Sequence, residues 1–193
     1  MMMKVSLLAL LGAAVCAISL LGCGGDGIGS DAEAEQAYKG LDASIDKAIG
    51  LGFDGFNAAS NANIPPQVGN GASTGTMTIA GKVDQGASDN KTMSLTEVLE
   101  KYSDDGKLTY DTETTLPTLD MKLSKIPTGT VTGTLQGTFT LSGELKGPVT
   151  LALSFSGDLQ EGAGGEVERK VGSTHITGTA TSDYGSYDVE VTR

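Results

Sequence analysis

The chain has 193 residues, enough for one domain with its own core, and 38% of them are apolar. Charged residues reach only 19%, below the usual ~25%, tryptophan is absent, and there is a single histidine. The formal net charge of −11 repels nucleic-acid phosphates and anionic lipid surfaces, which excludes both as electrostatic partners.

The first segment reads as an export signal. Met1 to Lys4 carries one positive charge, and Val5 to Leu21 is an apolar region shorter than the ~20 residues that a spanning helix needs. It ends abruptly in Leu20-Leu21-Gly22-Cys23, followed by Gly24-Gly25-Asp26-Gly27. This ending resembles the lipobox of bacterial lipid-anchored lipoproteins: leucine first, a small residue third, then cysteine. The resemblance covers the leader alone. It implies that residues 1–22 are a signal peptide, that Cys23 carries a diacylglyceryl thioether, and that the new N-terminus is acylated with a palmitate-type chain. Two or three acyl chains hold a protein firmly where one, at ~0.8 kcal/mol per buried methylene, holds it marginally. The competing reading is a secreted protein cut at an ordinary small-residue site, for which Ala13 to Ala17 is the candidate. On the lipoprotein reading Cys16 leaves with the leader and Cys23 is consumed by lipid, so no disulfide remains within one mature chain. Loss of Lys4, the one leader charge, moves the net charge from −11 to −12. By the sorting habit of lipoproteins, Gly24 after the cysteine implies the outer membrane.

Residues 23–30 are a glycine-rich tether, expected to be flexible and to span roughly 15 Å on average. The domain, 31–193, is expected to open with a helix. Ser30 and Glu33 form a capping-box pair, and Asp31, Glu33 and Glu35 place negative charge in the first turn. Ala34, Tyr38, Leu41, Ile45, Ala48 and Ile49 recur at three- and four-residue steps and make one apolar stripe. Gly50 and Gly52 are expected to end the helix. The stripe suits docking on the domain's own core. A membrane-surface helix carries lysine and arginine on its polar face, and this one is mostly acidic. Residues 53–75, rich in Asn, Ala, Gly and Ser around Pro65-Pro66, read as a long loop.

The period then switches to two. Met77, Ile79 and Val83 alternate with Thr76, Thr78 and Lys82. Met93 and Leu95 begin a second run whose register blurs near Val98 and Leu99. Asp104 to Lys107 reads as a turn before Leu108 and Tyr110, and Leu119, Met121 and Leu123 form a strand after Pro117. The clearest alternation puts Val131, Gly133, Leu135, Gly137, Phe139, Leu141, Gly143 and Leu145 on one face. Thr130, Thr132, Thr134, Gln136, Thr138, Thr140, Ser142 and Glu144 occupy the other. After Gly147-Pro148 the apolar face continues through Val149, Leu151, Leu153, Phe155 and Leu159. Ile176 and Ala180, then Tyr187, Val189 and Val191, give two last strands around a turn at Ser182 to Ser186.

These patterns predict a mainly β fold: an antiparallel meander of about eight strands, a strongly curved sheet or small barrel, with one N-terminal amphipathic helix. The run Thr130 to Glu144 is far longer than the usual five or six residues and is expected to bend, with Gly133, Gly137 and Gly143 leaving notches on the inner face. The helix stripe is expected to fill them.

Catalytic motifs are present in spelling only. Gly71-Ala72-Ser73-Thr74-Gly75 matches a nucleophile elbow with His175 downstream, but it lies in a loop with no helix after it. Ser44-Ile45-Asp46-Lys47 and Ser88-Asp89-Asn90 match penicillin-binding signatures without the K-T-G that completes them. His175 falls out of phase with Ile176 and reads as a solvated surface side chain. One histidine and no free thiol argue against zinc. Asp104, Asp105, Glu166 and Glu168 could approach calcium, yet no D-x-D-x-D-G loop exists and turn roles account for them better. Gly162 to Gly165 lacks the Lys-Ser/Thr of a phosphate loop. Paired carboxylates for glycoside chemistry rank low without tryptophan platforms. No catalytic, cofactor-binding or metal-ligating residue is expected, and no cofactor. The one site residue is Cys23.

Two function classes follow. The first is a lipid-tethered, non-enzymatic envelope domain, structural or interacting, whose membrane partner is reached through the lipid on Cys23 and whose protein partner is open. The second is a carrier for a lipid or other apolar ligand, since lipid-handling lipoproteins also pair a curved antiparallel sheet with a helix. An outer-membrane barrel fits less well: aromatic girdles are missing, and the glycines share the apolar face. An enzyme comes last.

Overall fold

The computed structural model describes residues 28–58, 62–84, 86–165, 167–183 and 185–193; within the helix, side chains are described through Ser44 and at Lys47 and Leu51. It shows a mainly β fold of one helix and ten strands among these residues. The helix is α1 (Asp31–Ala58) and the first seven strands are β1 (Asn63–Asn70), β2 (Thr74–Val83), β3 (Lys91–Ser103), β4 (Leu108–Thr112), β5 (Thr118–Ser124), β6 (Thr130–Gly143) and β7 (Gly147–Glu161). A short β8 (Val167–Arg169) and the final hairpin β9 (His175–Ser182) and β10 (Gly185–Thr192) complete it.

All pairings are antiparallel and follow chain order, the meander read from the alternation. The ten strands fill eight positions plus the small β8 flap. β5 pairs with the first half of β3 and of β6, while β4 pairs with their other ends, so the two short strands lie end to end in one slot. The pairings β3–β5–β6–β4 thereby close a ring. β1 and β10 each pair with one neighbour, and α1 touches both of these edges as well as β2, β3 and β8. The sheet curls until both margins meet the same helix.

The predicted inner face is the core. Val131, Leu135, Phe139 and Leu141 of β6 and Val149, Leu151, Leu153, Phe155 and Leu159 of β7 are buried, and their hydroxyl-bearing alternates lie outside. One rung runs in register from β2 to β10: Val83, Met93, Met121, Gly133, Phe155, Ile176 and Val191.

Three features depart from expectation. The helix runs through Gly50 and Gly52 to Ala58. Each interior glycine costs only about 1 kcal/mol, and no proline follows to forbid the next turn. Residues 53–75 are therefore not one loop: they hold the helix end, β1 and a turn. Pro65-Pro66 sits inside β1, where the pairing with β2 shifts between Ile64 and Gln67. An edge strand needs no amide on its free side, and a bulge excuses the other, so two prolines fit there. Third, the blurred register of β3 is a second bulge. Lys101 adopts φ 48° opposite Gly75, and the phase flips so that Leu99 and Tyr102 both face inward.

Candidate functional site

Cys23 lies outside the described residues, as do the expected signal peptide and most of the tether. The tether is shorter than expected, because Ile28 is already core, only 2% exposed. Its carbonyl accepts a hydrogen bond from Ser182 Oγ at 2.7 Å, fixing it to the end of the β9–β10 hairpin. The capping box then forms in a shifted version. The Glu33 amide donates to Ser30 Oγ at 3.3 Å, and the Glu33 carboxylate turns back to the Gly29 amide at 2.6 Å.

Gly143 is not an inner notch as expected: it is exposed at the strand end with φ 114°, against the Lys107 carbonyl, whereas the notches at Gly133 and Gly137 are filled by residues of the sheet and its loops, not by the helix. A β-carbon at Gly133 would lie 2.5 Å from Phe155 Cζ, the ring of its paired residue on β7. One at Gly137 would lie 2.5 Å from Pro117 Cβ. The notch that matters between helix and sheet is on the helix. Gly40 lets Tyr110 come against the helix backbone, where its hydroxyl donates to the Ala37 carbonyl at 2.7 Å. Burial drives the Tyr110 phenol far above its usual range, with the Asp105 charge adding to it, so it serves as a permanent donor. Ala34, Tyr38 and Leu41 of the stripe are fully buried. Ile45, Ala48 and Ile49 fall outside the described side chains.

Polar clusters fasten the helix to both margins of the sheet. On one side Asp42 receives Tyr38 Oη at 2.7 Å and Arg169 Nη2 at 3.1 Å, with Arg193 Nε 3.5 Å from its second oxygen. Arg169 comes from β8 and Arg193 follows β10, so one carboxylate gathers three elements. On the other side Lys47 Nζ donates to the Asn70 carbonyl at 2.6 Å, Tyr102 Oη at 2.8 Å and Asp104 Oδ1 at 3.2 Å, and lies over the Tyr102 ring. Tyr102 Oη donates to Asp104 Oδ2 at 2.5 Å, and the Ala72 amide donates to Oδ1 at 2.8 Å. Burial works to raise the Asp104 pKa. The bonds from Tyr102 and Ala72 and the Lys47 ammonium outweigh it and hold the carboxyl below its usual range.

Glu97 occupies an inner-face position of β3 and is wholly buried, with neither carboxylate oxygen hydrogen-bonded to a described residue. Burial pushes its pKa up to about 7.

A trough of about 730 Å³ lies across strands β2, β3, β5, β6 and β7. Its exposed walls are outward-facing: Lys82, Ser94, Asp120, Lys122, Thr132 and Ser154. The inner-face residues between them, Val83, Met93, Met121 and Phe155, are at most 5% exposed, so the trough opens on the outer face and does not enter the core.

The described residues of the other sequence motifs fall in turns, on the helix and on strands. Ser73 stands in the β1–β2 turn, its amide bonded to the Ser103 carbonyl, with no helix behind it. Ser44 Oγ donates to the Leu41 carbonyl at 2.6 Å, and Lys47 is engaged elsewhere. Ser88 Oγ accepts the Asn90 amide, and Asn90 Oδ1 accepts the Lys125 amide, a brace between turns. His175 is exposed on the outer face, paired with Ser156 and Thr192. Asp105 accepts the amides of Lys107 and Leu108 as a turn residue. Glu168 is exposed on β8, bonded by Gln160, and Glu166 lies outside the described residues. Among the described residues no group of three or more His, Cys, Asp or Glu is placed to hold a metal, and no helix is long and apolar enough to cross a membrane.

Sequence reasoning missed Asp42, Lys47, Arg169 and Arg193 as fasteners and Glu97 as a core residue. A charge at a phase-inward position, such as Glu97 between Leu95 and Leu99, was the available signal. No protein-family model matches the chain, and no curated protein or solved structure is significantly similar to it.

Proposed function

We propose that the protein is a lipid-tethered, non-enzymatic domain of the bacterial cell envelope, anchored through Cys23 in the outer membrane and acting as a structural or interaction module. The observation that carries the reading is the ending Leu20-Leu21-Gly22-Cys23 set only five residues before Ile28, the first described residue and already part of the core. A membrane anchor there meets the domain almost at once. The filled inner face supports a module over a carrier. Phe155 and Pro117 occupy the sheet's notches, and α1 is fastened to both margins by charge-assisted bonds, so a ligand would have to break several of them to enter.

The test is Cys23→Ser. It is expected to move the protein from the membrane and detergent phases to the soluble fraction, with the leader retained or miscleaved. Mass spectrometry of the wild-type N-terminus should find diacylglyceryl and acyl groups on Cys23. An unmodified N-terminus elsewhere in the chain overturns the reading.

A further inference from the structure

The lipid anchor proposed above, on which this inference rests, would constrain which surface of the domain meets the bilayer. Ile28 is immobilised in the core and hydrogen-bonded to Ser182, the residue that closes the β9–β10 hairpin opposite Gly185. Cys23 precedes it by five residues, a reach of at most about 18 Å when fully extended. The hairpin is longer than that reach. From Gly185 to Thr192 the strand advances about 23 Å at ~3.3 Å per residue. The turn end of the hairpin is therefore tied to the lipid, and the His175–Thr192 end is not.

Asp183 at the turn and Asp31 and Glu33 in the first turn of α1 stay near the bilayer in either arrangement, held there by the short tether, so the charges that differ between a standing and a flat hairpin are those of its outer face. Among the described residues that outer face carries Asp188 and Glu190, both exposed, and no large apolar side chain to insert into lipid. Laying that face on an anionic surface costs repulsion and gains no hydrophobic burial. We propose that the domain stands on the membrane with the β9–β10 turn, beside the first turn of α1, as its bilayer-facing surface, and with the His175–Thr192 end directed away. Ser154 and Phe155 of the outer trough are paired with Thr177 and Ile176, in the far half of β9, so this wall of the trough sits on the side remote from lipid.

The experiment uses the full-length lipidated protein carrying one added thiol, Asp183→Cys at the turn or His175→Cys at the far end. Both positions are exposed. Each variant is labelled with a fluorophore and reconstituted into phosphatidylethanolamine–phosphatidylglycerol vesicles doped with headgroup spin-labelled lipid. The label at 183 is expected to be quenched severalfold more than the label at 175. Equal quenching, or stronger quenching at 175, in vesicle-bound protein overturns the orientation and leaves the anchor standing. A chain that bears no lipid and stays off the vesicles overturns the anchor and the orientation together.

Discussion

Strands β6 and β7 pair from Thr130–Asp158 to Leu141–Gly147 without a register shift, and every inward side chain is apolar or glycine. The contact between α1 and the sheet margins is built the other way. There Asp42, Lys47, Arg169, Arg193 and Asp104 converge from distant parts of the chain, and the adjoining strands β1, β2 and β3 carry bulges. The hairpin is specified locally by a two-residue period. The seam is specified by tertiary pairing of groups that look, in sequence, like solvated surface. Burial without a break makes the hairpin the larger source of stability, and the seam decides how the sheet closes.

The sharpest way to break this contrast is at the hairpin. Phe139→Asp removes a fully buried ring and places a carboxylate in the core, so it should unfold the domain, a loss above ~4 kcal/mol. Thr132→Asp, one strand face away and exposed, should change stability by no more than ~0.5 kcal/mol in urea denaturation. Similar losses for the two would mean that the faces are misassigned.

Glu97 links the seam side of the sheet to pH. Its folded pKa, about 7, lies above the ordinary 4.5, so the fold favours the neutral acid. Its contribution to stability is fully present below about pH 4.5, declines as pH rises toward 7, and is lost above, a change of about 3 kcal/mol. Glu97→Gln should remove that slope, seen as the difference between the two proteins' melting curves from pH 4 to 8. Parallel curves would show that the carboxyl is solvated.

Gly40→Ala sharpens the seam itself. Helix propensity alone predicts a gain of ~1 kcal/mol. The added carbon would instead lie 2.9 Å from Tyr110 Cζ and displace the hydroxyl from Ala37, for a net loss of about 2 kcal/mol. In a Tyr110→Phe background the same substitution should cost less. An unchanged cost there would place the strain elsewhere.

The legible parts of the molecule are those where one local rule suffices. The alternation from Val131 to Leu159, the last hairpin and the helix start at Ser30 follow from period and capping alone. β1 was not legible, because Pro65-Pro66 marks a loop unless a free edge and a bulge are known to be there. The bulge at Lys101 shows only as a blurred phase, and the split of one strand slot into β4 and β5 needs their shared partners β3 and β6. Gly40 reads as a weak point in a helix until Tyr110, seventy residues later, is seen to need the space. The fasteners escaped for the same reason: Arg169 lies 127 residues from Asp42, and nothing local distinguishes it from a surface arginine.

The central claim is a lipid-anchored domain with a solid interior, and native mass spectrometry of the intact protein extracted from membranes tests it most directly. The expected mass is the chain from Cys23 plus its covalent acyl groups, with nothing further retained on gentle release from detergent. A second, displaceable lipid that co-purifies with the folded domain would contradict the solid interior and make the protein a carrier.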